Sequence, residues 1–309
     1  MRIVYLGSGA FGLPTFDALV RSHDVALVIS QPDRPAGRNR RTTHTPVAER
    51  AGALKLNLLQ PESANEPEVL RAIDEVNPEA IVVIAYGQKL SRDLLRDRFA
   101  VNLHGSLLPK YRGAAPINWA MIEGETETGV SVITVTERID AGDVLGQACA
   151  RIDPRETAGE LHDRLAMLGP GLMLKVLDQF RRGELLRVPQ DDSRATRARK
   201  LTKKDGTVSF DHSARLVRAR VHGLTPWPGC TVKLDGRLLK LLRVRDEPAV
   251  KPADPSVVPG EVLADRSIQC SVGVIYVLNV QPPGGRQMSF EAYCHGHGVR
   301  PGARMEKGG

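Results

Sequence analysis

In the stretch VNLHGSLLPKYRG, Asn102 and His104 stand two residues apart, and Asp140 follows in the segment IDAGD. Alternate residues of a strand leave the same face, so an amide and an imidazole would converge on one pocket. An imidazole is the usual side chain for moving protons near neutral pH, and a carboxylate within reach would orient it and balance the charge of its protonated form. Just beyond the pair, SLLP makes an apolar bend at Pro109, suited to be the wall for a flat heterocycle and to leave backbone groups free to bind one. Each part also has a plainer reading. An N-x-H pair can be a surface amide and a histidine satisfied by backbone, while Asp140 and Asp143 flank a glycine where turns favour them.

A second constellation opens the chain. Gly7, Gly9 and Gly12 form G-x-G-x-x-G directly after the apolar run Ile3 to Leu6, and the acidic Asp33 follows about 20 residues later, as in a dinucleotide site that holds a ribose. The alternative is a tight strand-to-helix turn that needs small residues where backbones approach. Cys149, Cys230, Cys270 and Cys294 form no C-x-x-C pair, which argues against a zinc ribbon, a redox pair or a disulfide framework. Cys294, His295 and His297 crowd together without a partner cluster, so no metal is expected.

The elements that must carry these residues follow from periodicity. RIVYL and DVALVIS read as strands about a helix from about Leu13 to Arg21; LNLLQ is a third strand, PEVLRAIDEV a helix, AIVVIAY a buried central strand and VNLH the next. A helix near APINWAMIEG precedes the pair GVSVITVTER and DVLGQACARI, joined at IDAG. This order predicts an α/β fold, an open, mostly parallel Rossmann-like sheet covered on both faces, with ligands bound outside the carboxyl ends of its strands. The helical stretch 156–183 should kink or break at Gly169 and Pro170. We read 1–187 as a catalytic domain, the polar, basic run within 188–207 as a linker, and 208–309 as a smaller β-barrel domain of the oligonucleotide-binding kind. The barrel rests on a hairpin about Asp235-Gly236 and a second hairpin in SIQCSVGVIYVLNV.

A chain of 309 residues, 41% of them hydrophobic, suits two ordinary domains. No apolar run approaches the ~18 residues of a membrane span, and the N-terminus lacks the pattern of a signal peptide, so a cytoplasmic protein without membrane partners is expected. The formal charge is +7, but between Arg194 and Arg245 fourteen basic residues face three acidic ones, a local excess of +11 that leaves the remainder at −4. Such a segment suits a polyanion, with RNA the first candidate.

Over nearly its whole length the sequence resembles the folate-dependent formyltransferase family. The resemblance rests on QPDRPAGR after the second strand, AYGQ ending at Gln88, N-x-H-x-S-L-L-P, YRGAAPI, GETETGV, D-x-G-D at Asp140, PWPG and PGEVL. It implies transfer of the formyl group of 10-formyltetrahydrofolate to the α-amine of methionine carried by initiator tRNA, a step of translation initiation. It also implies catalytic roles for Asn102, His104 and Asp140, and a folate site formed by Ser106, Leu107, Leu108 and Pro109 with Tyr86, Gly87 and Gln88. The tRNA would be held by Arg34, Arg38, Arg40 and Arg41 and by Lys203 and Lys204. On this reading the amine attacks the formyl carbon directly, and Asn102 and a protonated His104 face the resulting oxyanion. The proton moves through His104 and Asp140 or through a water relayed by Asp140, with no covalent enzyme intermediate, no metal and no NAD. The glycine turn is then structural, because a loop of arginines follows Asp33. The implied enzyme is a monomer.

The chain departs from the family's usual pattern in NRRTTHTPV and at Ser8-Gly9. The core motifs also resemble formyltransferases acting on an amino-sugar nucleotide, which is the alternative reading; the arginine loop and the +11 segment favour tRNA. A nicotinamide-dependent oxidoreductase would leave residues 102–143 without a purpose, and a non-catalytic RNA-binding protein would not need Asn102, His104 and Asp140.

Overall fold

The strand-like runs of the first half become β1 (Arg2–Gly7), β2 (Asp24–Ile29), β5 (Leu58–Leu59), β6 (Ala80–Ile84) and β7 (Ala100–His104), while the segment read as a loop of arginines carries two short antiparallel strands, β3 (Arg34–Ala36) and β4 (Arg41–Thr43). They are followed by β8 (Arg112–Gly113), β9 (Glu127–Thr134), β10 (Val144–Arg151) and β11 (Arg197–Ala198). The computed structural model describes residues 1–36, 41–247 and 257–308. One compact unit comprises Met1–Pro116, Gly129–Ala150 and His162–Ala198; a second comprises Ile117–Thr128, Arg151–Leu161 and the chain from Arg199 onward.

In the first unit, seven strands hydrogen-bond in the order β10-β9-β7-β6-β1-β2-β5. The five from β7 to β5 are parallel, and β9 runs antiparallel to β7, which is the expected mostly parallel Rossmann-like sheet. All five residues of β6 are buried because helices cover both faces, so an unbroken β-branched run is what the position needs. On one face Val4 and Leu6 join Val69 and Ile73 of the helix Pro67–Val76. On the other, Tyr5 meets Phe16 of the helix Leu13–Ser22 with ring centroids 4.7 Å apart. The stretch 156–183 breaks as predicted into the helices Ala158–Ala166 and Gly169–Arg181; Pro170 sits in the first turn of the second, where its missing N–H costs nothing.

The second unit holds β12 (Cys230–Leu234), β13 (Arg237–Glu247), β14 (Ile268–Gln269), β15 (Val274–Gln281), β16 (Met288–Ser289) and β17 (Met305–Lys307). They pair antiparallel in the order β14-β15-β13-β12-β17, with β16 on β15. Both expected hairpins are present. Asp235 (φ +49°) and Gly236 (φ +75°) take the left-handed pair of conformations that a two-residue hairpin turn requires. The sheet curls on itself, and the segment Gly260–Val262 bridges its edges. Gly260 N donates to Gln269 O (2.8 Å) on one side, and Met305 N donates to Gly260 O (2.7 Å) on the other. Among the described residues, no helix is long and apolar enough to cross a membrane.

Candidate active site

Asn102 and His104 leave β7 on one face at its carboxyl end, beside the carboxyl end of β6, where Val83 pairs with Asn102. The turn after β9 brings Asp140 to them. Asn102 Nδ2 donates to Asp140 Oδ1 at 3.4 Å, and His104 Nδ1 lies 3.6 Å from Asp140 Oδ2. Oδ2 also accepts the Gly113 N–H at 2.9 Å, which holds the carboxylate in place. On the far side of the ring, His104 Nε2 stands 2.9 Å from Tyr111 O. A carbonyl only accepts, so Nε2 carries the proton and Nδ1 is the atom turned to the carboxylate, across a gap too long for a direct hydrogen bond. The His104 and Asp140 side chains are 7% and 15% exposed, so the pair is desolvated yet reachable.

The Asp140 turn is fastened at its base. Thr134 N donates to Asp143 O (3.0 Å), and Asp143 N donates to Thr134 Oγ1 (2.9 Å). Asp140 itself is left-handed, at φ +51°, a conformation that Asp tolerates better than most residues. The residue that takes the turn's left-handed conformation thus also presents its carboxylate to Asn102 and His104.

The expected folate residues line the neighbouring loops. Ser106 is fully buried, and its hydroxyl donates to Lys110 O (2.7 Å). Ser131 Oγ donates to Ser106 O (2.7 Å) and accepts from Leu108 N (3.1 Å), and Gln147 Nε2 donates to Leu108 O (2.9 Å). The bend at Pro109 thus spends several of its backbone groups on its own shape, where the sequence suggested free ones. Leu108 is buried, whereas Leu107 and Pro109 are half-buried at the rim. After β6, Tyr86 O accepts Gln31 Nε2 (2.6 Å), and Gln88 binds Ala64 N (2.9 Å) and Glu62 O (3.0 Å). Tyr86 and Gln88 brace this loop, and Gly87, at φ +84°, is its exposed member.

The opening glycines enclose Tyr5. A Cβ on Gly7 would come within 2.5 Å of Tyr5 Cε1, and one on Gly12 would overlap the phenol oxygen, which donates to Gly12 O (3.3 Å). Burial pushes this phenol far above its ordinary range. Asp33, the candidate ribose ligand, is engaged by Gln60 Nε2 (2.7 Å) and His44 Nδ1 (2.6 Å).

The basic residues divide by what they touch. Arg34 pairs with Glu62; Arg38 and Arg40 lie outside the described residues, as does the side chain of Arg41. Within 194–245, Arg199 pairs with Asp205, Arg218 with Asp246 (2.7 Å) and Arg243 with Glu160 (2.6 Å). Arg215 donates to Gly124 O (2.6 Å), Arg220 to Asp205 O (2.9 Å), and Arg245 lies 4.3 Å from the centre of the Tyr276 ring. Exposed Arg194, Arg197, Lys200, Lys203, Lys204 and Lys233 make no such pair among the described residues, and five of these six lie along 194–204. Lys203 and Lys204 ride on a turn capped by Thr202 and Asp205, whose carboxyl accepts Thr202 N (2.7 Å) and is held well below the usual carboxylate range by Arg199.

Gln190 and Thr196 bind the loops of this site from a polar stretch without any period, and Tyr111, although within the quoted motif YRGAAPI, was not singled out as a site residue. Among the described residues, no group of three or more His, Cys, Asp or Glu side chains gathers as a metal site would require.

Residues 1–177 match the family model described as Formyl transferase, and residues 200–298 match that of the Formyl transferase, C-terminal domain. A methionyl-tRNA formyltransferase of Geotalea daltonii is 37% identical over 308 residues, covering 99% of this chain and 98% of that protein. HypX from Aquifex aeolicus, solved in complex with tetrahydrofolic acid, superposes with a TM-score of 0.63 at 18% identity, covering 95% of this chain and 47% of HypX. The chain therefore spans about half the length of HypX. WlaRD, a sugar 3N-formyl transferase, superposes with a TM-score of 0.66 at 15% identity, covering 90% of this chain and 97% of that one. The last two likenesses establish the fold alone.

Proposed function

This chain belongs to the formyl transferase family, and we propose that it transfers the formyl group of 10-formyltetrahydrofolate to the α-amine of methionine esterified to initiator tRNA. The observation that supports this most is the convergence of Asn102, His104 and Asp140 at the carboxyl ends of β6 and β7. The folate supplies an activated formyl group on its N10 nitrogen. The amine nitrogen gains the bond to the formyl carbon and loses a proton, while the bond to N10 breaks and N10 takes a proton, so the exchange is balanced without another reactant.

Asn102 has two N–H donors and spends one on a long bond to Asp140, which leaves capacity for the charge developing on the formyl oxygen. His104 is steadied by Tyr111 O through Nε2, and its Nδ1 and the Asp140 carboxylate form the proton-handling pair. Half-buried Leu107 and Pro109 and the exposed Gly87 are the parts of the two loops that can meet a pterin. Ser106, Tyr86 and Gln88 act by shaping those loops, since their polar atoms are engaged within the protein.

The acceptor follows from the full-length identity to a methionyl-tRNA formyltransferase and from the unpaired cations along 194–204, which a single sugar nucleotide does not need. Lys203 and Lys204 are the contacts best placed to neutralise phosphates, with Arg34, Arg38, Arg40 and Arg41 as the second basic element. The reaction takes place in the cytoplasm, where charged initiator tRNA is used. Incubation with 10-formyltetrahydrofolate and either charged initiator tRNA or an amino-sugar nucleotide tests the acceptor. Formylation of the tRNA, reduced at least about 100-fold in Asn102→Ala and His104→Ala with folate affinity retained, is the expected result. Formylation of the sugar nucleotide alone would replace this reading with the alternative.

A further inference from the structure

We propose that Gln190, assisted by Thr196, is a positioning residue for formyl transfer, fixing from outside the two loops that hold His104. This inference rests on the reading of Asn102, His104 and Asp140 as the site. The loop 111–113 supplies Tyr111 O to His104 Nε2 and Gly113 N to the Asp140 carboxylate; the turn 140–142 supplies the carboxylate itself. Neither loop is stiff by its own conformation. Tyr111 and Asp140 are both left-handed without being glycine, at φ +62° and +51°, so something must hold them there.

The segment 190–198 does so. Gln190 Nε2 donates to both Asp140 O (2.8 Å) and Gly142 O (2.7 Å), clamping the turn by its carbonyls. Its Oε1 accepts Arg112 Nε (3.0 Å) and Nη2 (2.8 Å), so one side-chain amide joins the two loops with all four of its hydrogen-bonding positions used. Six residues on, Thr196 Oγ1 accepts Tyr111 N (2.8 Å) and Thr196 O accepts Arg112 N (2.9 Å). The peptide plane between Tyr111 and Arg112 therefore binds Thr196 by its N–H and His104 by its carbonyl. Because that plane is rigid, fixing one end aims the other. β11 continues the contact by pairing with β8.

No hydrogen bond joins Gln190 to His104 or to the Asp140 carboxylate, so its effect must pass through the two loops it joins, and this can be read directly. Gln190→Leu removes all four bonds. Gln190→Glu keeps the acceptor for Arg112 but sets a carboxylate against two carbonyls. In single-turnover formylation both should lose about 10- to 100-fold in rate, as expected for misplacement near 1 Å, with the Kd for folate, the Kd for tRNA and the Tm changed little. The decisive comparison is a cycle with His104→Ala, which removes the group that both loops hold. Once the imidazole is absent, Gln190→Leu should cost less than about threefold. Losses that multiply in full, or a Gln190→Leu enzyme with the normal rate, would overturn the proposal. A fall in rate matched by a fall in Tm and in both affinities would also overturn it, since that is general destabilisation. If the unmodified enzyme formylated only the amino-sugar nucleotide, the acceptor reading would fail, and the same cycle run on that acceptor would still decide the role of Gln190.

Discussion

His222 lies wholly buried in the second unit, on the helix Ala214–Gly223, and its ring joins two other segments. Nδ1 donates to Pro154 O at 3.1 Å, and Nε2 accepts the Val244 N–H at 3.1 Å. One nitrogen must carry a proton and the other must not, so the neutral ring is the form that fits. Burial lowers its pKa from 6.5 to about 4; the positive charges of Arg218 and Arg243 add to this, and the Pro154 hydrogen bond and Glu160 oppose it. A depressed histidine contributes stability in full above its unfolded value and loses it as pH falls towards its folded value. The window runs from 6.5 down to about 4. Across it the unit should lose about 3 kcal/mol, with a slope near 1.4 kcal/mol per pH unit. Trp119 and Trp227 are the two tryptophans of the chain and both lie in this unit, so their fluorescence in urea titrations between pH 7 and 4.5 reports its unfolding. His222→Gln can still donate and accept but does not titrate, which subtracts the carboxylates that begin to protonate at the acid end. The expected result is a difference between the two stability curves that closes by about 2–3 kcal/mol as pH falls. Parallel curves would show that this ring contributes nothing to the acid sensitivity and would refute the reasoning.

Three other outcomes follow. Asp140→Asn keeps a residue that tolerates the left-handed turn but removes the charge facing His104, so turnover should fall about 100-fold while folate affinity, measured by titration, stays within a few-fold; unchanged turnover would remove the carboxylate from the mechanism. Gly12→Ala should lower stability by about 1–3 kcal/mol because its Cβ overlaps the buried phenol of Tyr5, and Tyr5→Phe should recover part of that loss in thermal or chemical denaturation; no recovery would mean that Ile84, 3.2 Å from the same Cβ, sets the limit. Removing both charges with Lys203→Ala and Lys204→Ala should weaken tRNA binding and flatten the plot of log affinity against log salt by about 1.8 if both contact duplex phosphate; an unchanged slope would exclude them as phosphate contacts.

The sheet and the face of β7 were legible because their residues announce themselves: an apolar β-branched run for β6, alternate polar positions at Asn102 and His104, and a proline and glycine where one helix yields to the next. Asp140 was ambiguous in sequence because turn preference and side-chain chemistry select the same residue, and it took the structure to place its carboxylate 3.6 Å from His104 Nδ1. Charge was overestimated for a different reason. Composition counts Arg218, Arg220 and Arg243 equally with Lys203, although the first three are spent on Asp246, backbone carbonyls and Glu160. Gln190 and Thr196 were invisible for want of any local signal: they sit in a polar run without periodicity, and their partners lie 48 to 85 residues away. The glycine motif needed its neighbour to be understood, since nothing in G-x-G-x-x-G says that a tyrosine two residues before it fills the turn.

The fastening of the stretch 190–198 to the loops around His104 bears on how such enzymes can be recombined. A graft of the second unit would be cut where composition changes, which here is near residue 187. A chimera joined there would discard Gln190 and Thr196 along with the old module, and would carry a well-folded sheet whose His104 has lost its outer supports. Joined after Ala198 instead, the first unit keeps the whole fastening, and its loops stay supported whatever follows them.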